Sequence, residues 1–238
     1  MNAAASKKYF DILTLFPGMF HGVLSESIMA RAIHAGIAEV SLTDIRDYAT
    51  DRHKSVDDYP YGGSAGMVLK PEPLAAAIRA VTDRRDCTSR DVIYLTPQGT
   101  PLTHRLVQEL IQRDHLVLVC GRYKDIDYRI RQKYVDREIS IGDYVLAGGE
   151  IPAMVVLEAI IRLLPGALGN RDSAERDSFY TDRLDACYYT RPEVFEGMRV
   201  PDVLRSGNHR HIAQWLDDTS RAMTHERRPD LMNTQQSW

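Results

Sequence analysis

Leu116-Val117-Leu118-Val119-Cys120-Gly121-Arg122-Tyr123, then Glu138-Ile139-Ser140-Ile141-Gly142-Asp143-Tyr144, closing on Gly148-Gly149-Glu150, is the stretch from which the fold is read. Each apolar run has strand length and stops at a glycine followed by polar and aromatic residues. A helical pattern to about Val135 separates them. Upstream, Tyr9 to Phe16, Ile37 to Leu42 and Val92 to Leu95 read as further strands, the last ending at Thr96-Pro97-Gln98-Gly99. Met19 to His34, Leu74 to Arg84 and Leu102 to Arg113 read as the helices between. This alternation is that of a parallel sheet with crossover helices, an α/β fold. Open α/β sheets bind ligands beyond the carboxyl ends of their strands, so the ends at 94 to 97, 121 to 123 and 140 to 144 are expected to form one crevice. Glycines there allow close backbone approach, which suits a flat polar ligand.

Working outward, Pro152 begins a segment to Leu164 that is apolar almost all round, expected to be buried against the sheet, a partner subunit, or both. Its polar exceptions Glu158 and Arg162 stand four apart: either an ion pair along one face or a functional arginine. The run from Asp51 to Met67 is long, polar and glycine-rich, as functional loops are. Residues 169 to 181 lose periodicity and read as a linker or lid between a domain at 1–168 and a helical one at 182–238. In the latter, Asn208 is placed to cap a helix from His209 to about Thr224. From Asp182 onward there are eight arginines, no lysine and nine acidic residues, with arginines and histidines gathered at 205 to 211 and 221 to 228. Such grouping suits phosphate contacts or a solvated helix face.

The chain has 238 residues, 44% hydrophobic and 26% charged, enough for one good core with a smaller second domain. A net charge of −3 speaks against indiscriminate coating of nucleic acid. No apolar run reaches the roughly 18 residues of a membrane span, and no signal-like segment opens the chain, so a cytoplasmic protein is expected. Three cysteines without C-x-x-C spacing fit free thiols, and no structural metal is expected. Signatures of NAD enzymes, P-loop NTPases, serine hydrolases and zincins are absent.

A set of ordered motifs carries more. His53-Lys54-Ser55-Val56-Asp57-Asp58, Pro60-Tyr61-Gly62-Gly63, Tyr94-Leu95-Thr96-Pro97-Gln98-Gly99, Cys120-Gly121-Arg122-Tyr123 and Ser140 through Glu150 come first. Leu164-Pro165-Gly166, Ser173-Ala174-Glu175 with Asp177-Ser178-Phe179, and Tyr189-Thr190-Arg191-Pro192 follow. Together they resemble the bacterial tRNA (guanine-N1)-methyltransferases that modify guanosine 37, from about Tyr9 to about Arg228. The resemblance implies the SPOUT fold, a parallel sheet with a C-terminal trefoil knot, and a homodimer with a composite active site. It implies S-adenosylmethionine held by Tyr94, Leu95, Thr96, Pro97, Gly121, Tyr123, Ser140, Ile141, Gly142, Asp143, Tyr144, Val145, Leu146, Gly148, Gly149 and Pro152. It further implies Asp177 as the base that takes the N1 proton, Arg162 as the partner of O6, and tRNA contacts from Asp58, Arg162 and His209. Rivals are a related enzyme with another RNA target and an inactive RNA-binding protein. Two departures stand out: Gly62-Gly63-Ser64-Ala65-Gly66 replaces a G-G-G-P-G turn, and Lys124-Asp125 replaces a Glu-Gly pair. The second leaves magnesium dependence open.

Overall fold

The computed structural model describes residues 7–168 and 177–233. It divides into two compact units, Met1–Gly169 and Asn170–Trp238. The larger is built on β1 (Lys8–Thr14), α1 (His21–Ser25), α2 (Ser27–His34), β2 (Ala38–Asp44), β3 (Asp57–Asp58), β4 (Val68–Leu69) and α3 (Pro71–Asp83). There follow β5 (Arg90–Pro101), α4 (His104–Ile111), β6 (His115–Cys120), β7 (Asp125–Ile126), α5 (Tyr128–Tyr134), β8 (Arg137–Ser140) and α6 (Glu150–Ile161). A five-stranded sheet runs in the order β2-β1-β6-β5-β8, and every pairing in it is parallel.

Alternation along the central strands explains the layers. Leu116, Leu118 and Cys120 face one core with Phe10, Ile12, Ile93 and the apolar sides of α2, α4 and α6. Val117 and Val119 face the other, with Leu13, Val92, Tyr94 and the buried residues of α3 and α5. A strand covered on both faces is apolar throughout, which is why the run at 116–120 carries no polar alternation. Thr103 caps α4 by accepting from the Leu106 N–H at 3.2 Å, and Asp127 caps α5 by accepting from the Arg129 N–H at 2.9 Å.

Three boundaries differ from the pattern. The helix expected over Met19 to His34 breaks at Ser27, whose φ of 57° interrupts it. The apolar helix starts earlier, at Glu150, and ends at Ile161, with Arg162 as its C-cap. In β5, Leu95 and Thr100 both stand opposite Ile139, so Thr96 to Gly99 leave the ladder as an excursion and the strand then resumes. A Cβ on Gly99 would lie 2.4 Å from the Ile139 nitrogen, so only glycine brings the chain back.

The polar 53–67 loop has a frame of its own. β3 pairs antiparallel with β4, and β4 pairs parallel with β7, a three-stranded ribbon that ties the loop to the turn after β6. In the smaller unit, β9 (Val194–Phe195) and β10 (Met198–Arg199) form a hairpin where short turns were expected. A short helix, Asp202–Arg205, precedes a long one, His209–Arg227, capped by the Asn208 side chain through the His211 N–H. Of the expected lid, residues 169–176 lie outside the described residues. The described cysteines are free, and no helix of the described residues is long and apolar enough to cross a membrane.

In the middle of β1, away from the glycine turns, Asp11 is fully buried. It faces His115 Nε2 at 2.8 Å, Arg85 Nε at 3.2 Å and Arg84 at 3.3 Å. Burial alone would raise its carboxyl, but hydrogen bonds from His115 and Arg85 outweigh that and hold it below the usual 3.8. Its stabilising contribution is therefore complete above about pH 4 and is lost as pH falls through the lower folded value. Asp11→Asn should lower the unfolding free energy by about 3 kcal/mol at pH 7, because the largely buried Arg85 loses its charged partner inside the sheet. Urea titrations followed by circular dichroism should show the gap to wild type narrowing below about pH 4.

Candidate active site

At the carboxyl edge of the sheet, the turns after β5, β6 and β8 meet around a cleft of about 290 Å³. The first supplies Tyr94, Leu95, Thr96, Pro97 and Gln98. The second supplies Gly121, Arg122, Tyr123, Lys124 and Asp125, and the third Ile139 to Gly142 and Tyr144 to Gly149. Pro152, in the first turn of α6, closes the wall.

Contacts of hydrogen-bond and ionic type lock the turns together. After β8 the chain passes back to the end of β6, where the Gly149 N–H donates to the Gly121 carbonyl at 2.9 Å and Gly148 bridges to Arg122. Arg122 Nε donates to Glu150 at 2.9 Å, and Thr14 Oγ1 donates to the other oxygen of that buried carboxylate at 2.8 Å. The Arg122 guanidinium also lies 4.3 Å from the centroid of Phe16. Glu150 sits in the first turn of α6, where a negative charge meets the positive end of the helix.

The glycines serve this packing. A Cβ on Gly149 would stand 2.6 Å from the Cys120 Cα, and one on Gly121 2.7 Å from the Tyr94 ring. On Gly148 it would fall 2.3 Å from Arg122 Nε and 2.6 Å from Glu150. All of these are protein atoms: glycine lets three turns touch.

Tyr94 runs beneath the second turn and donates its hydroxyl to Asp125 Oδ1 at 2.8 Å. Burial first, and then the charge of Asp125, push this phenol well above its ordinary value, so it stays protonated as a donor. Asp125 also accepts from its neighbour's N–H at Ile126 and from Arg131, at 2.7 and 3.1 Å. Both of its oxygens are thus engaged, and Lys124 lines the same wall. Among the described residues no three His, Cys, Asp or Glu side chains cluster as metal ligands would.

Of the residues expected to hold the methyl donor, all but Asp143 line this cleft. Asp143 is exposed at the apex of a tight turn closed by the Tyr144 N–H donating to the Gly142 carbonyl, which takes it out of the wall. Gln98, Arg122, Lys124, Asp125, Ile139 and Ala147 line it as well. Each lies inside or beside a motif already singled out, so adjacency in sequence was the available signal. Asp58 is exposed on β3, in the ribbon attached to the second turn. Arg162, half-buried, ends α6 at the opposite end from Pro152, about 15 Å away along the helix at 1.5 Å per residue. Asp177 and the exposed His209 belong to the smaller unit.

Comparison with known proteins places the chain. The family model described as "tRNA (Guanine-1)-methyltransferase TrmD" matches residues 8–234. A protein of Geobacillus kaustophilus named tRNA (guanine-N(1)-)-methyltransferase is 52% identical over 223 residues, 94% of this chain and 91% of its own length. Its namesake in Geobacter sulfurreducens is 52% identical over 224 residues, with the same shares. That of Listeria welshimeri is 50% identical over 222 residues, 93% of this chain and 91% of its own. A match along nearly the whole chain, on a parallel sheet whose strand ends build one cleft, means that this protein belongs to the tRNA (guanine-1)-methyltransferase family.

Proposed function

We propose that the protein transfers a methyl group from S-adenosylmethionine to N1 of guanosine 37, beside the tRNA anticodon. The observation that carries this reading is the convergence of three strand-end turns on one cleft in a chain of this family. The cleft suits the donor: Leu95, Ile139, Val145 and Leu146 offer apolar walls for a nucleoside, and Arg122, which would repel a cation, is neutralised by Glu150. The path from β8 back to Gly121 is where the family's trefoil knot would be threaded.

The bound donor supplies an electrophilic methyl group on a sulfonium. Guanine N1 carries a proton and becomes a nucleophile only as that proton leaves, which places negative charge on O6. In this reading the Asp177 carboxylate takes the N1 proton and the Arg162 guanidinium holds O6, while Asp58 and its loop hold the extruded base. The N1 lone pair then bonds to the methyl carbon as the carbon–sulfur bond breaks, its electrons staying on sulfur. The side chains that line the donor cleft keep it dry and fix the line of attack.

A homodimer fits this separation. Arg162 ends the helix whose first turn holds Pro152, and in this reading a composite site takes the cleft from one subunit and Asp177 from the other. On α6, Ile151 and Val155 are 50% and 41% exposed and stand four apart, an apolar stripe that a second copy would cover. Tyr180 and Asp177 share the turn that opens the smaller unit, the Tyr180 N–H donating to the Asp177 carbonyl at 3.3 Å. His209, at the start of the long helix, and its neighbouring arginines would grip the anticodon stem. The compartment that fits this substrate is the cytoplasm.

With labelled methyl donor, tRNA carrying guanine at position 37 should be methylated, and the same tRNA with adenine there should not. Label taken up regardless of that base would overturn the assignment. Asp177→Ala should reduce turnover at least a hundredfold while donor affinity, measured by calorimetry, changes less than about twofold. Gly149→Ala should also abolish activity, but by weakening donor binding as the turn is displaced from Cys120. Mixing these two inactive variants and allowing subunits to exchange should restore activity to a fraction of the dimers. No recovery after confirmed exchange would mean that each site is complete within one chain.

A further inference from the structure

The loop between β3 and β4 carries two aromatic rings that the fold does not use. Tyr59 is 82% exposed and Tyr61 fully exposed, although both stand in a loop anchored at each end. The anchoring is specific: the Lys124 N–H donates to the Met67 carbonyl at 2.9 Å, and the Asp127 N–H donates to the Leu69 carbonyl at 3.0 Å. The loop is thus fastened to the turn that forms the second wall of the cleft. Its shape is held by Gly62, Gly63 and Gly66 at φ of 86°, 73° and 99°, a backbone that favours glycine, and not by burial of its tyrosines.

Arg129 stands at the foot of the same ribbon, in the first turn of α5 and two residues beyond the Asp127 that is bonded to Leu69. Asp127 grips Arg129 through Nε at 2.9 Å and Nη2 at 2.7 Å, which orients the planar group while leaving its side chain 71% exposed. Lys124, exposed, lies in the second turn and lines the cleft. Exposed aromatic faces alternating with oriented cations are what single-stranded nucleic acid requires. A ring replaces the stacking a base has lost, and a fork-shaped cation meets the phosphate.

We propose that Tyr61 and Arg129 form a ledge on which a nucleotide flanking the target guanine is stacked and held. The inference rests on the tRNA-modifying reading above and deepens it. Extruding a guanine from the anticodon loop strips a stacking partner from its neighbours, and that cost rises unless another flat surface takes over. Tyr61 supplies the surface next to the second wall of the cleft. Arg129 and Lys124 hold the backbone on either side of it, so the strand enters with the reacting base turned inward. Tyr61 acts here as a positioning residue: it binds RNA beside the reaction and does not touch the donor.

The test uses the full-length enzyme, an unmodified tRNA transcript with guanine at the target position, and S-adenosylmethionine. Tyr61→Ala should raise KM for tRNA about tenfold, as expected for loss of one base–aromatic stack, with kcat within about threefold of wild type. Tyr61→Phe, which keeps the ring, should stay within about twofold of wild type, and donor affinity without RNA should be unchanged in both. The ledge is overturned if Tyr61→Ala leaves KM unaltered, if Tyr61→Phe is as impaired as Tyr61→Ala, or if donor affinity falls in step with tRNA binding. If the wild-type enzyme itself neither binds nor methylates tRNA, the functional reading falls and takes the ledge with it. Normal wild-type methylation with any of the three failures removes the ledge alone.

Discussion

The larger unit depends on how closely a returning chain can lie against the end of a strand already in place. Gly149 comes to rest on the backbone of Cys120 and Gly121 at a distance no side chain would permit. From that contact follow the hydrogen bond between the Gly149 N–H and the Gly121 carbonyl, the start of α6 at Glu150, and the pinning of the third turn over the first two. The ion pair of Arg122 with Glu150 adds an electrostatic latch. Taking this pair out of water is costly, and the geometry offsets the cost with an additional hydrogen bond from Thr14, the helix dipole and the face of Phe16. A neutral, rigid floor beneath the cleft is the result.

A second network steadies the opposite wall. Tyr94 reaches from β5 to Asp125, Asp125 to Arg131, and Arg131 to both oxygens of Glu138 on β8. Three strands are thereby cross-linked by side chains at the edge where their turns diverge. Arg131 spans two carboxylates at 2.6 to 3.1 Å, while Tyr94 donates to one of them, so charge-assisted hydrogen bonds hold this wall together. It also explains why the second turn accommodates Tyr123 at a positive φ of 62°: the flanking residues are already fixed on both sides.

Much of this was legible in the residues. Continuous apolar runs at 92–95 and 116–120 mark strands covered on both faces, and glycine at their ends marks the ligand edge. The ordered motifs then brought nearly the whole wall of the cleft into view. What stayed hidden was set by tertiary contact. Thr96 to Gly99 leave and rejoin β5 because Ile139 pairs twice, which no local pattern encodes. Glu150 reads as an ordinary acidic residue before a helix, and only the approach of Thr14 and Arg122 makes it a buried anchor. The two-residue strands β3, β4 and β7 are too short for periodicity to register, yet they attach the tyrosine-bearing loop to the cleft. Ser27 breaks a helix that its neighbours' composition would have continued.

The burial of Asp11 against His115, 104 positions later in the chain, has a bearing on how the molecule comes into being. β1 lies between β2 and β6, so one of its edges stays open until the sixth strand has been synthesised. On the ribosome that interval lasts roughly five to twenty seconds, during which Phe10 and Ile12 belong to an incomplete sheet. A carboxylate in the middle of that exposed strand is a solubilising group for as long as it waits, and becomes a buried anchor only when its histidine arrives. The residue that fastens the finished sheet thus also guards the nascent one against pairing with the wrong neighbour.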